Sequence, residues 1–183
     1  LFYDVDLSYN HTISCASCHE QKFGFSDSAQ FSKGFAGGLT GRNSMGLEHA
    51  RFHKTGAMFW DLRAVSIEDQ VTRPIRDAVE MGMTNENLNN KQWDSIVARV
   101  SNKSFYSGLF QSAFGSTLID SQRITLALAQ FVRSINSYGS KYRVGVETTN
   151  GNPEVTPFAN FTAQENLGKN LFMDVTRLSL IHI

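Results

Sequence analysis

Two cysteines two residues apart with a histidine directly behind them, Cys15-Ala16-Ser17-Cys18-His19, constrain this chain more than any other stretch. The pattern is the attachment signature of a c-type haem. Two thioethers to the vinyl groups fix the macrocycle, and the adjacent imidazole becomes an axial ligand of the iron. No other cysteine is present to offer a different partner. The other readings of the pair are a redox dithiol, one small disulfide or half of a zinc site. A zinc site would need further ligands at finger or knuckle spacing, and no second Cys-x-x-Cys or His-x₃-His follows.

Covalent haem attachment normally takes place outside the bacterial cytoplasm, so the motif predicts an exported, periplasmic protein. The chain begins at Leu1-Phe2-Tyr3 with neither a methionine nor a signal peptide, which reads as a fragment or a processed form. Lys and Arg (17) balance Asp and Glu (17), so nothing points to nucleic acid or an anionic membrane. Fourteen phenylalanines suit an apolar cofactor pocket as well as an ordinary core.

The hydrophobic pattern predicts an all-α protein with long loops. The first ten residues read as the end of a helix delivering the haem motif. Residues 20–46 carry six glycines interleaved with Phe23, Phe25, Phe31 and Phe35, a loop that wraps something. No Gly-Lys-Ser/Thr closes a phosphate loop there. Ser66-Ile67-Glu68-Asp69 opens a helix towards Met81, with Pro74 inside it as a kink. A second helix is predicted over 88–101. A third runs over 121–138, its stripe of Ile124, Leu128, Phe131, Ile135 and Tyr138 ending at Gly139. Thr162-Ala163-Gln164-Glu165 starts another through Leu171.

One repeat bears on domain organisation. Leu1-Phe2-Tyr3-Asp4-Val5 returns as Leu171-Phe172-Met173-Asp174-Val175, four identities in five. Cys15 follows Leu1 by 14 positions, so a second haem cysteine would fall near position 185, past Ile183. The reading is a duplicated haem domain, of which this chain holds the first copy and the start of the second.

The order of motifs resembles the bacterial di-haem cytochrome c peroxidases and their MauG-like relatives. The matching residues are Leu1–Asp4, Ile13–His19, Gly41-Arg42-Asn43-Ser44, Phe59-Trp60-Asp61-Leu62-Arg63-Ala64, Glu68-Asp69-Gln70, Pro74-Ile75, Glu80-Met81-Gly82 and Ala127–Ser134. The resemblance implies a cytochrome c-like peroxidatic haem domain over 1–144 and a linker over 145–160. The first helix of a second, similar domain would follow over 161–175, and 176–183 would be a foreign or truncated tail that includes His182. It also implies that Cys15, Cys18 and His19 hold one haem c, with a second haem expected in the full-length protein. Gln70, Pro74 and Glu80 would form the distal pocket, with Glu80 moving protons. Trp60 would relay electrons to the partner haem, Arg42 and Arg63 would meet haem propionates, and Asn43 would contribute to a calcium site. The partners implied are hydrogen peroxide, a small cytochrome c or cupredoxin donor, the missing C-terminal haem domain and a possible homodimer.

Two departures stand out. Leu62 occupies a position usually held by glycine. The loop Ser32–Gly38 has no histidine where many relatives carry one that blocks the iron; His49 and His53 are the nearest substitutes. An open iron favours a peroxidase or a MauG-like oxidase acting on a protein or other substrate. A plain electron carrier would instead close the iron with a methionine, for which Met45, Met58, Met81, Met83 and Met173 are the candidates.

Overall fold

Arg99 and Lys103 decide how the chain begins. In the computed structural model, which describes residues 1–149 and 152–174, the expected helix end in the first ten residues is a single 3₁₀ turn, Val5–Leu7. The Arg99 guanidinium donates to the backbone carbonyls of Asp6 (3.1 Å), Ser8 (2.7 Å) and Tyr9 (3.1 Å). Those carbonyls are the ones a continuing helix would need for its own ladder, so tertiary bonds replace it. Lys103 Nζ bridges Asp4 (2.7 Å) and Asp6 (2.8 Å), and the Tyr106 hydroxyl donates to Asp4 at 2.6 Å.

The Asp4 side chain is only 8% exposed. Burial alone would raise its pKa, but the hydrogen bonds from Lys103 and Tyr106 outweigh that and hold the carboxyl below its ordinary 3.8. A depressed carboxylate stabilises the fold above its unfolded value, and that stability is lost as pH falls through the lower folded value. Asp4→Asn should therefore cost roughly 2–3 kcal/mol at neutral pH, the range of hydrogen bonds to a charged group. The penalty should shrink as pH falls below about 4, where Asp4 of the unfolded chain takes up its proton, and disappear only below the lower folded value. Denaturant melts at pH 7 and pH 3 check it.

Seven α-helices and no strand occur among the described residues, which agrees with the predicted all-α class while exceeding the four helices the pattern gave. Helix α1, Ile67–Arg76, starts at Ser66, whose hydroxyl accepts from the Asp69 amide. It stops at Arg76 instead of reaching Met81. Pro74 sits in its last turn, and the chain then doubles back, with Met81 and Met83 amides bonding to the Pro74 (3.3 Å) and Ile75 (3.0 Å) carbonyls. The segment expected as one helix over 88–101 is two, α2 (Asn85–Leu88) and α3 (Gln92–Ser101). Asn89 and Asn90 divide them in left-handed conformation, which asparagine tolerates.

Helix α4, Ser104–Phe114, has no side-chain N-cap and was not legible in the pattern. Helix α5, Ser121–Ser134, is capped by Asp120 and ends before Tyr138, not at Gly139. The Ile135 carbonyl is taken by the His49 amide at 3.0 Å, and the Ile135 amide closes back on Val132, so the helix cannot continue. Tyr138, expected on the buried stripe, is 56% exposed. Helix α1 packs along α5, joined at one end by Arg133–Glu68 (2.6 Å). Ile75, Ile96, Val100, Ile124 and Leu128 fill the core between helices, each contributing about 1.5–3 kcal/mol by its burial.

The chain divides into two compact units, 1–136 and 137–183. In the second, α6 (Lys141–Thr148) occupies the first part of the stretch expected as a linker from residue 145. Gly145 allows the Phe158 ring to close on that helix, where a Cβ would lie 2.1 Å from Cδ2. Helix α7, Ala163–Met173, begins with the expected capping box of Thr162 and Glu165. The repeated Leu171-Phe172-Met173-Asp174 forms its end. Residues 176–183, including His182, lie outside the described residues. Among the described residues no helix is long and apolar enough to cross a membrane.

Candidate haem pocket and distal carboxyl

Cys15–Ser17 form one 3₁₀ turn, closed by Cys18 and His19 amides bonding to the Cys15 carbonyl. His19 Nδ1 lies 2.8 Å from the Phe25 carbonyl oxygen. A carbonyl only accepts, so Nδ1 carries the hydrogen and Nε2 keeps its lone pair, the arrangement of a metal-ligating imidazole. Burial lowers the ring's proton affinity, against its backbone hydrogen bonds, which favours the neutral form a ligand needs. Phe25 presents that carbonyl from a left-handed backbone (φ 56°), unusual for a bulky residue and held by the Glu20–Ser26 bridge. Sequence reading singled out Phe25 only as an aromatic of the loop; its backbone role left no signal.

Beside His19 lies a cavity of about 770 Å³, within the range of cofactor sites. Cys18, Leu39, Met45, Met58, Phe59 and Val132 are among its walls. Both cysteines are free thiols, so the disulfide reading does not hold. Burial pushes the Cys15 thiol up to about 12, the opposite of a reactive redox dithiol. No group of three or more His, Cys, Asp or Glu able to hold a metal occurs among the described residues. Cys18 and His19 line this cavity, Cys15 sits on the turn beside them, and the imidazole keeps its lone pair at Nε2, a set that fits a c-type haem.

Gln70 and Pro74, one turn apart on α1, both line the cavity. Glu80 lines it too, but from the turn after α1 and not from the helix itself. Glu80 is half-buried, and that burial, with the Asp77 charge adding and Arg63 opposing, raises its carboxyl pKa. A second cavity of about 250 Å³ also reaches Glu80, between Arg63, Arg73, Arg76 and Asp77. Glu80 thus stands where the large pocket meets a small polar one. The glycine-rich loop closes on this turn: Phe35 N donates to the Glu80 carbonyl at 2.9 Å, and the Phe35 ring packs on Gly82.

Trp60 is 61% exposed at the cavity rim, its Nε1 donating to the Asn43 carbonyl at 3.2 Å. The Asn43 side-chain amide donates to the Ala29 carbonyl at 2.8 Å, and no group of three or more His, Cys, Asp or Glu stands around it among the described residues. Arg42 and Arg63 both line the cavity and both bind Asp61, at 3.1 and 2.8 Å, while Arg63 also stacks 3.6 Å over the Phe59 ring. Asp61, the carboxylate that joins these two cations, was quoted in a motif but given no role by the sequence. His49 and His53 line the cavity; Met81 and Met83 are buried in the core and are not available as ligands.

Leu62, 48% exposed, has φ 56° in the tight turn between Met58 and Ala64. A left-handed conformation costs an L-residue about 1–2 kcal/mol, of which glycine's greater freedom when unfolded cancels about half. Leu62→Gly should therefore raise stability by about 0.5–1 kcal/mol, read as a higher denaturant midpoint.

Residues 1–149 match the family described as di-haem cytochrome c peroxidase. The chain is 32% identical over 169 residues to the methylamine utilization protein MauG of Methylorubrum extorquens, covering 90% of this chain and 45% of that protein. It is 32% identical over 142 residues to the cytochrome c551 peroxidase of Nitrosomonas europaea, covering 78% and 40%. The crystal structure of a MauG-like protein associated with microbial copper homeostasis superposes with a TM-score of 0.78 at 31% identity, over 94% of this chain and 46% of that one. The diheme peroxidase BthA from Burkholderia thailandensis, at 21% identity and a TM-score of 0.66, shares the fold. The chain spans less than half the length of these relatives. Taken with a site whose thiols and imidazole fit haem c, these matches place the chain in the di-haem cytochrome c peroxidase family.

Proposed function

We propose that this chain is the peroxide-binding part of a periplasmic di-haem enzyme that reduces hydrogen peroxide to water. Its electrons would come from a small cytochrome c or cupredoxin, through a second haem domain that this chain only begins. The observation that carries the reading is Glu80, a half-buried carboxyl shared by the His19 cavity and a polar cavity.

Cys15 and Cys18 would hold the haem through thioethers and His19 through Nε2. When bound, that group supplies a redox-active iron for two-electron reduction of the peroxide bond. The chain's own residues would do the rest. Glu80 takes the proton from the peroxide's near oxygen and returns one to the leaving oxygen, so that water departs in place of hydroxide. A raised pKa suits it to both halves of that exchange. Gln70 would hydrogen-bond the bound peroxide, and Pro74 would shape the wall beside it. Trp60, exposed at the rim, is suited to passing charge onward. Arg42 and Arg63 would meet haem carboxylates in competition with Asp61.

Spectroscopy of the haem-loaded protein tests this. A high-spin component, which an open sixth position gives, is expected in at least one redox state. A purely six-coordinate low-spin haem in every redox state would sink the proposal and favour an electron carrier closed by Met45 or Met58. A MauG-like oxidase is supported by a different feature, the histidine-free Ser32–Gly38 loop tied to the Glu80 turn. Such an enzyme would react with peroxide but turn over slowly with small electron donors.

A further inference from the structure

Glu80 is held by a side chain three residues before it. Asp77 Oδ1 accepts from the amides of Val79 (2.8 Å) and Glu80 (2.9 Å), and the Asp77 carbonyl accepts from Gly82 at 2.8 Å. Residues 77–82 therefore form a closed turn, built by one carboxylate where the helix has run out. The side chain that builds the turn also faces the 250 Å³ cavity that Glu80 shares. We propose that Asp77 is the positioning residue of this site: its carboxylate builds the turn that holds Glu80 at the cavity wall, and its charge acts on Glu80 across that turn. The proposal rests on the reading of Glu80 as the proton-transfer group.

The charged surroundings set the sign of the effect. Arg63, from the turn before α1, weakens Glu80's hold on a proton, and Asp77 strengthens it. Arg73 and Arg76 line the same small cavity, but Arg73 is occupied by Asp69 and Arg76 by Thr72. Round the larger cavity stand Cys18, Arg42, Glu48, His49, His53 and Asp61. Among these groups, Asp77 joins a negative charge to direct hydrogen bonding of the Glu80 backbone.

The two contributions separate experimentally. In Asp77→Asn the amide oxygen can still accept both N–H groups, so the turn persists without its charge. In Asp77→Ala both are lost. Each variant is made in the full-length, haem-loaded protein, with the haem absorbance confirming an intact pocket. For Asp77→Asn, hydrogen exchange at the Val79 and Glu80 amides should match the wild type. The acidic limb of the pH profile for peroxide turnover should move to lower pH, because an uncharged neighbour lets Glu80 ionise sooner. For Asp77→Ala, those two amides should exchange at least about ten-fold faster and turnover should fall about 10-fold or more, since misplacement of a reacting group is costly. Glu80→Gln provides the reference. If it abolishes the acidic limb while Asp77→Asn leaves the limb unmoved, the electrostatic role of Asp77 is wrong and the Glu80 reading stands. Amides in Asp77→Ala as protected as in the wild type would overturn the positional role. If Glu80→Gln keeps both the limb and the rate, the Glu80 reading itself fails, and the proposal falls with it.

Discussion

Glu80→Gln in the full-length, haem-loaded protein should lower peroxide turnover by about 10²–10⁴-fold, the span a positioned general acid–base group commonly supplies. The substitution keeps size and hydrogen-bonding capacity but removes the ability to take and return a proton. Glu80's backbone bonds, donated to Asp77 Oδ1 and accepted from Phe35 N, do not involve its side chain, so the turn should survive. Haem content and peroxide-free spectra should therefore match the wild type. Unchanged turnover would remove Glu80 from the reaction, and a collapse of haem content would show that its side chain is structural. The loss should also be greatest where the wild type is most active, because the pH limb set by Glu80 disappears with it.

Gly34→Ala is the second large effect, and it works through the backbone. A Cβ at residue 34 would lie 1.7 Å from the Val79 carbonyl oxygen and 2.7 Å from its carbon, and neither atom can rotate away as a side chain could. The loop would have to leave the 77–82 turn, breaking the bond from Phe35 N to the Glu80 carbonyl. Overpacking of this kind costs about 1–3 kcal/mol, and the lost hydrogen bond about 1 more. A lower denaturant midpoint at unchanged slope, together with turnover down by about 10²-fold, is the expected result. Gly108→Ala is the control. Nothing lies within 4 Å of that position on α4, and alanine there should raise stability by about 0.5–1 kcal/mol without touching the site.

What the sequence made legible was the chemistry with fixed spacing. Cys15, Cys18 and His19 sit on one turn, and Gln70 and Pro74 fall on one helical face because four residues make one turn of α1. Caps at Ser66 and Thr162 were readable because their bonds are local. Helix ends were not. Helix α5 stops where His49, far away in sequence, takes a carbonyl, and the N-terminal segment is unwound by Arg99. Helix α4 lacks a side-chain cap and is rich in serine and aromatic residues, so its identity depends on burying Tyr106 and Phe110. In the site, Asp77 and Phe25 escaped notice for a shared reason. Each acts through a turn, and only the assembled site shows which group that turn serves.

The contacts from Arg99, Lys103 and Tyr106 to residues 4–9 span 90 to 102 positions. Residues 4–9, which lead into the haem motif, therefore take their observed shape only with α3 and α4 in place. Contacts of such range must overcome the entropy of closing the chain between them, so truncation ahead of α3 should leave the approach to Cys15 without the bonds that fix it.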